Sequence, residues 1–439
     1  MARLFGTDGV RGVYGRDLTD ELAGALGAAA ARVLRADGAE RPRFVIGRDT
    51  RASGPALEAA FVAGARSGGA DVLLAGVEPT PAIAFLSASL GAAAGVVISA
   101  SHNPPAYNGI KFFGPGGTKL ADAAEDAIEA ALGRTDAVSP GAVLAFPDAE
   151  ATYADHVVAC AEAPLTGMRL VVDCANGAAS HVAPLALRDL GAEVLAIHDA
   201  PDGTNINAGC GALHPEVVAA EVRRVGADAG VAFDGDADRA LFADAAGAVV
   251  DGDQVLAACA LAMRDAGTLA RDTVVTTVMA NLGFREAMRE AGIRIVETQV
   301  GDRYVLEAML AERARLGGEQ SGHVIFLDQS PTGDGLLTAV RFLSLAARRG
   351  TTVADLAGAM RRFPQVLVNV PADRSRLAGA VAVHDAVRAA EASLGDAGRV
   401  LVRASGTEDL VRVMVEARSA TDAERHAAAI ADVVRATCA

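Results

Sequence analysis

The apolar positions of this chain fall into short runs, and the order of those runs predicts a unit that recurs three times. Each unit is an apolar strand, a polar or glycine-containing loop, a helix and a second strand. The first copy reads Phe44-Val45-Ile46-Gly47-Arg48-Asp49, a helix from about Pro55, then Asp71-Val72-Leu73-Leu74. The second reads Leu170-Val171-Val172-Asp173, a loop with Asn176-Gly177, a helix near 183–190, then Glu193-Val194-Leu195-Ala196. The third reads Val274-Val275-Thr276-Thr277, a loop with Asn281-Leu282-Gly283, a helix near 284–291, then Arg294-Ile295-Val296. Continuous apolar strands joined by helical crossovers suit a parallel sheet covered on both faces.

Each copy is followed by a further short strand that runs into a polar loop. Gly95-Val96-Val97-Ile98 leads into Ser99-Ala100-Ser101-His102-Asn103-Pro104. Gly230-Val231-Ala232-Phe233 leads into Asp234-Gly235-Asp236-Ala237-Asp238-Arg239. Leu316-Gly317 leads into Gly318-Glu319-Gln320-Ser321-Gly322-His323. Ligands of open α/β sheets bind beyond the carboxyl ends of strands, so three such ends can converge on one cleft. After Phe363-Pro364 the pattern changes. Strands are expected at 366–370, 400–403 and 411–416 and a helix near 421–436, which describes a smaller α+β domain. The expected division is 1–148, 149–247, 248–363 and 364–439.

Composition narrows the classes. With 55 acidic and 40 basic residues the net charge is −15, which argues against nucleic acid as a general partner. An anionic substrate would then need local arginines and a metal, because background charge is screened beyond a Debye length of about 8 Å. Of the basic residues 38 are Arg and two are Lys (Lys111 and Lys119), both within 18 residues of Ser101. No apolar run is long enough for a membrane span, and the first residues lack the apolar region of a secretory signal. Five scattered cysteines read neither as a disulfide framework nor as a zinc site, so a reducing cytoplasm is expected.

Four segments carry candidate chemistry. Asp234, Asp236 and Asp238 crowd three carboxylates at alternate positions, which suits a hard divalent cation held by oxygen. An EF-hand is excluded, since loop positions 6 and 12 hold Arg239 and Ala245. A solvated acidic turn is the plain alternative. Ser101 reads either as a catalytic serine or as part of a capped turn, with Lys111 ten residues on. Glu319, Ser321 and His323 suit sugar hydroxyls and proton transfer, or equally a polar turn. Arg403, Ser405, Gly406, Thr407 and Arg412 make either a phosphate cradle or an exposed turn.

Taken in order, these segments resemble the α-D-phosphohexomutase superfamily over essentially the whole chain. Phe5-Gly6-Thr7-Asp8-Gly9-Val10-Arg11-Gly12, Val171–Ala178, Asn205-Ile206-Asn207 with Cys210-Gly211, Val278–Gly283 and Val300–Val305 are similar to its bacterial amino-sugar branch. The resemblance implies α/β architecture: three similar mixed α/β domains with βαβ units plus a smaller C-terminal α+β domain, heart-shaped around a central cleft. It implies phosphate on Ser101, and one Mg²⁺ held by Asp234, Asp236, Asp238 and a phosphoserine oxygen. Glu319 and Ser321 would hold sugar hydroxyls, and the 403–412 loop would hold the phosphate that is not reacting. Lys111 and His323 would move protons, and Arg11 and Arg239 would line the reacting phosphate.

The implied activity interconverts the 6- and 1-phosphates of glucosamine through a sugar 1,6-bisphosphate, which can also act as activator. Such an enzyme would be a cytoplasmic homodimer feeding UDP-N-acetylglucosamine and cell-wall precursors. Phosphomannomutase or phosphoglucomutase activity, a metal-dependent phosphatase and a non-catalytic phosphosugar sensor are the rival readings. Three positions depart from the family pattern: Ala404 and Asp409 where proline is usual, and Ala280 where serine is usual.

Overall fold

The computed structural model describes residues 3–6, 8–35, 41–134, 138–405 and 409–438. Among them lie four sheets, and the first three repeat one topology. In the first, Arg43–Arg48 lies between Asp71–Val77 and Ala94–Ile98, all parallel, and Tyr107–Phe113 returns antiparallel beside Ala94–Ile98. The second sets Arg169–Asp173 between Glu193–Ile197 and Ala229–Phe233, with Ala240–Asp244 returning antiparallel. The third sets Thr273–Thr277 between Arg294–Thr298 and Leu316–Gly318, with Val324–Phe326 returning antiparallel. The recurrent unit expected from the sequence is therefore present three times. Its antiparallel fourth strand makes the sheets mixed rather than parallel.

Local chemistry sets the elements. Thr19 caps the helix Asp20–Val33 by accepting the Leu22 N–H at 3.2 Å, and Asp20 and Glu21 sit in its first turn, where the helix dipole favours anions. Gly54–Ser67 starts with Pro55 in its first turn, where a missing N–H costs nothing. The two helices pack on one face of the first sheet and bury Leu26, Leu57, Phe61, Phe44 and Ile46. Each such side chain contributes about 1.5–3 kcal/mol.

The described chain packs as two compact units, Met1–Met279 with Ile293–Gly358, and Ala280–Gly292 with Ala359–Ala439. The second unit holds an antiparallel sheet in the order Gln365–Pro371, Leu410–Ala417, Gly398–Ala404. The helices Val381–Leu394 and Ala420–Cys438 cover it; the former was not anticipated from the sequence. Glu416, wholly buried, fastens the helix Leu282–Glu290 to this sheet. It accepts the Leu282 N–H at 3.0 Å and the Arg399 Nε at 2.6 Å, while Asn281 donates to the Phe363 carbonyl at 3.0 Å. No described helix is long and apolar enough to cross a membrane.

Glu78, just after the strand Asp71–Val77, is 3% exposed and its Oε2 has no hydrogen-bond partner among the described residues. Burial, with a smaller push from Glu150, raises its pKa to about 8. The folded chain thus keeps a proton that the unfolded chain releases near 4.5, so stability falls as pH rises between those two values. Glu78→Gln is expected to gain thermal stability over the parent progressively from about pH 4.5 to pH 8 and to level off above. Melting curves across that range check it; a constant difference would mean Glu78 stays ionised.

Candidate functional site

The two polar loops of the first two sheets meet within the first unit. Ser101 is 2% exposed, with φ at +50°, a left-handed value uncommon outside glycine. Its Oγ donates to Asp234 Oδ2 at 2.7 Å, across 133 positions of sequence. The approach is close enough to require Gly235, because a Cβ there would lie 2.6 Å from the Ser101 carbonyl oxygen.

A buried arginine that the sequence reading passed over holds this conformation. Arg51 is wholly buried after the strand Arg43–Arg48. Its Nη1 donates to the carbonyls of Pro104 (2.6 Å) and Tyr107 (3.0 Å), and its Nη2 to those of Ser101 (2.9 Å) and Asn103 (2.8 Å). Its Nε donates to Asp49 Oδ2 at 2.8 Å, and Asp49 also accepts the Ser99 hydroxyl at 2.6 Å. From the second sheet, Asn207 Nδ2 reaches the same Ser101 carbonyl at 2.9 Å. Arg51 and Asn207 turn the loop carbonyls inward and leave the Ser101 hydroxyl facing the aspartates. An Asp-x-Arg directly after a buried strand was the signal available.

Asp234, Asp236 and Asp238 are all buried, with one oxygen of each within 4.8 Å of the others. Asp236 Oδ2 accepts the Thr80 hydroxyl (2.6 Å) and the Lys111 ammonium (2.8 Å). Among the described residues Asp236 Oδ1 and Asp238 Oδ1 have no hydrogen-bond partner. Burial, with the charges of Asp238 and Asp236, raises the Asp234 pKa well above the usual carboxylate range. Three crowded carboxylates with buried, unbonded oxygens fit a hard divalent cation, and the triplet is a candidate site for one.

Cations surround the triplet. Burial opposes charge on Lys111, but Asp236 and Asp8 outweigh it and raise its pKa above the ordinary ammonium value. Burial likewise opposes charge on His323. Asp238, 3.6 Å from its Nδ1, overrides that and raises the pKa to about 9. With aspartates as partners, both groups are held protonated. Arg11 pairs with Asp8, and Arg239 Nε lies 3.7 Å from Asp238 Oδ1. His102, beside Ser101, is neutral: burial, then the charges of Arg239 and Arg11, lower its pKa to about 4.

Glu319 and Ser321 lie half-buried in the turn between Leu316–Gly318 and Val324–Phe326. Glu319 Oε1 accepts the Gly301 N–H at 3.0 Å, and Oε2 the Ser321 hydroxyl at 3.4 Å.

In the second unit, Arg403 and Arg412 stand directly opposite one another on adjacent strands. Burial and the like charge of Arg412 lower the Arg403 pKa. Like charges in register are unfavourable unless an anion lies between them, which fits a phosphate cradle. Arg374 donates to the Ser405 carbonyl at 2.6 Å and lies 3.6 Å from Asp409, so the extra carboxylate at 409 has a cation of its own. Gly406 and Thr407 lie outside the described residues.

Comparison with known proteins gives this geometry its context. The chain matches the models of the phosphoglucomutase/phosphomannomutase family in sequence order: α/β/α domain I over residues 2–139, domain II over 151–247, domain III over 251–363 and the C-terminal domain over 367–433. The chain belongs to this family, the α-D-phosphohexomutase superfamily, and its four α/β domains follow that architecture. Within it the chain is 56% identical over 442 residues to the phosphoglucosamine mutase of Thermobifida fusca, covering 99% of this chain and 98% of that one. It is 56% identical to the phosphoglucosamine mutase of Acidothermus cellulolyticus over 99% of this chain and 96% of that one. A crystal structure of a phosphoglucomutase/phosphomannomutase family protein from Burkholderia thailandensis superposes with a TM-score of 0.81 at 28% identity, covering 98% of both chains.

Two variants test the site. Arg51→Met takes the buried cation from Asp49 and a donor from each of four loop carbonyls, with Ser99 and Asn207 left to answer part of that set, so a loss of about 3–5 kcal/mol in denaturant unfolding is expected. A loss under about 1 kcal/mol would remove Arg51 as the support of the serine loop. Thr80→Val, which leaves Asp236 Oδ2 held by Lys111 alone, should weaken Mn²⁺ binding about 10- to 100-fold by titration. Affinity equal to the parent would show that the Thr80 hydroxyl does not orient Asp236.

Proposed function

We propose that this chain interconverts glucosamine 6-phosphate and glucosamine 1-phosphate through a phosphoserine at Ser101 and glucosamine 1,6-bisphosphate. The observation that carries the reading is the Ser101 hydroxyl 2.7 Å from an aspartate of a buried triplet. The choice of an amino sugar is supported by near-full-length phosphoglucosamine mutase relatives at 56% identity.

Asp234, Asp236 and Asp238, with an oxygen at Ser101, would hold one Mg²⁺, whose chemistry is to neutralise charge on the transferring phosphoryl group. Ser101, phosphorylated, presents its phosphorus to the C1 hydroxyl of the bound 6-phosphate. The sugar oxygen bonds to phosphorus, the bond from phosphorus to Oγ breaks with its electron pair left on Oγ, and the proton lost by the sugar hydroxyl is passed through the neighbouring side chains to Oγ. After the bisphosphate turns round, Ser101 Oγ takes the phosphoryl group from C6, and the C6 oxygen keeps the bond pair and takes up a proton. The enzyme ends as it began, so only a trace of bisphosphate is needed as activator.

Lys111 and His323 lie beside the triplet; held protonated, each can hand its proton to the departing oxygen and then take the one the attacking hydroxyl loses, worth about 10²–10⁴-fold. Arg11 and Arg239 offer guanidinium donors to the transferring group. Glu319, with Ser321, accepts sugar hydroxyls, and its carboxylate suits the C2 ammonium. Arg403, Ser405, Gly406, Thr407 and Arg412 hold the non-reacting phosphate. The domain divisions at 148, 247 and 364 assign one such function to each segment. All five cysteines are free thiols, which supports a reducing cytoplasm, and a homodimer rests on family resemblance alone.

Ser101→Ala is expected to fold and to lose turnover, and intact-mass measurement should find one phosphate on the parent and none on the variant. Normal turnover in the variant would remove the phosphoserine. A panel of glucosamine, glucose and mannose 6-phosphates should favour glucosamine in kcat/KM; equal values would remove the amino-sugar assignment.

A further inference from the structure

Of 40 basic residues only two are lysine, and both ammonium groups close on one carboxylate, Asp8. Lys111 Nζ lies 3.1 Å from Asp8 Oδ2 and 2.8 Å from Asp236 Oδ2. Lys119 Nζ lies 2.8 Å from Asp8 Oδ1 and 2.7 Å from Asp302 Oδ2. The charges alternate along a continuous file: Asp302, Lys119, Asp8, Lys111, Asp236. One end of that file is an aspartate of the metal triplet. The other end is one residue from the contact that orients Glu319.

That contact is the Gly301 N–H, which donates to Glu319 Oε1 at 3.0 Å. Gly301 has φ +140°, a conformation that side-chain residues rarely adopt, and Asp302 begins the helix Asp302–Glu312. Where Asp302 is held therefore decides where the Gly301 N–H points. The neighbouring Arg303 pairs with Asp122 at the start of the helix Asp122–Ala130, so the loop has two ties to the first domain.

We propose that Lys119 is a positioning residue for the sugar: by bridging Asp8 and Asp302 it fixes the Gly301 N–H that aims the Glu319 carboxylate. This rests on the phosphosugar reading above only in naming what Glu319 meets. The residue type follows from the geometry. A compact ammonium can send separate donors to two carboxylates at 2.8 and 2.7 Å, whereas a guanidinium presents its donors as a flat fork suited to a single carboxylate. The Lys119 side chain is only 17% exposed, which leaves little space for the longer group.

The test compares Lys119→Met, Lys119→Arg and Asp302→Asn in the full chain. In Lys119→Met the Gly301 amide is expected to exchange with solvent at least about tenfold faster. KM for glucosamine 6-phosphate should rise about ten- to a hundredfold, the equivalent of one charged hydrogen bond, with a smaller change in kcat. Mn²⁺ affinity at the triplet should stay within about threefold. Lys119→Arg should not rescue KM, and Asp302→Asn should reproduce Lys119→Met without adding to it. Unchanged Gly301 exchange in a folded Lys119→Met protein, or full rescue by arginine, overturns the proposal. Should Lys119→Met not fold, Asp302→Asn keeps the Lys119–Asp8 pair and carries the same readouts. If the parent does not turn over glucosamine 6-phosphate while the Gly301 amide still loosens in the variants, the substrate reading fails and the positioning role stands.

Discussion

Three carboxylates packed together away from water are the constraint on which the rest of this site depends. Two unit charges within 4.8 Å repel by at least roughly 3 kcal/mol at an effective dielectric of 20, and the fully ionised triplet would contain three such pairs. The surroundings answer that repulsion in different ways. Asp234 holds the Ser101 proton through a 2.7 Å hydrogen bond, Asp236 takes a hydroxyl and an ammonium on one oxygen, and Asp238 faces an imidazolium. The oxygens left unbonded on Asp236 and Asp238 are the ones a cation would use. Proton, lysine and histidine thus stand around the carboxylates in positions where charge must rearrange when a phosphorylated ligand arrives.

The repeated topology explains why the chemistry falls where it does. In each of the first three sheets the functional loop joins the third parallel strand to its antiparallel return. A loop at that point leaves the carboxyl end of a central, buried strand, so its backbone is anchored on both sides while its side chains extend beyond the end of the sheet. The serine, the aspartates and the turn that carries Glu319 and Ser321 are one structural position used three times with different residues.

That regularity is why so much was legible in the sequence. Buried strands such as Ala229–Phe233 are unbroken apolar runs, and a polar loop straight after one is conspicuous. The sequence alone did not reveal the partners. Arg51, Thr80, Asp8 and Asn207 lie 50, 156, 228 and 106 positions from Ser101, Asp236, Asp236 and Ser101 in the contacts or charge file that give them meaning. Arg51 follows a buried strand in an Asp-x-Arg, and Asp8 and Asn207 lie in stretches similar to the family, but nothing local says which distant group each of the four meets. The antiparallel returns were missed for a related reason. Tyr107–Phe113 contains Asn108, Gly109 and Lys111, polar residues that strand propensity disfavours, and its place is set by pairing with Ala94–Ile98 rather than by its own composition. The structure also gives Lys111, on that strand, the buried position in which a lysine can pair with two carboxylates.

The grouping of the helix Leu282–Glu290 with the C-terminal sheet follows the same logic of buried polar contacts. A sequence boundary at Phe363-Pro364 separates a strand-helix-strand pattern from a sheet, and by pattern the helix belongs to the first. In the packing of the described chain, Glu416 ties it to the second. It is wholly buried, so its charge must be answered locally, and the groups that answer it are Arg399, the Leu282 N–H and Asn281. Pulling the helix away would take the Leu282 N–H and Asn281 from Glu416 and leave Arg399 alone to answer a buried carboxylate, a cost set against a connecting chain that costs little to bend. Ala280, where serine is usual in the family, sits at that junction and gives its carbonyl to Arg399 at 2.6 Å. Its contribution there is made by backbone, which any residue type supplies, and the departure from the family pattern leaves the anchorage of the helix intact.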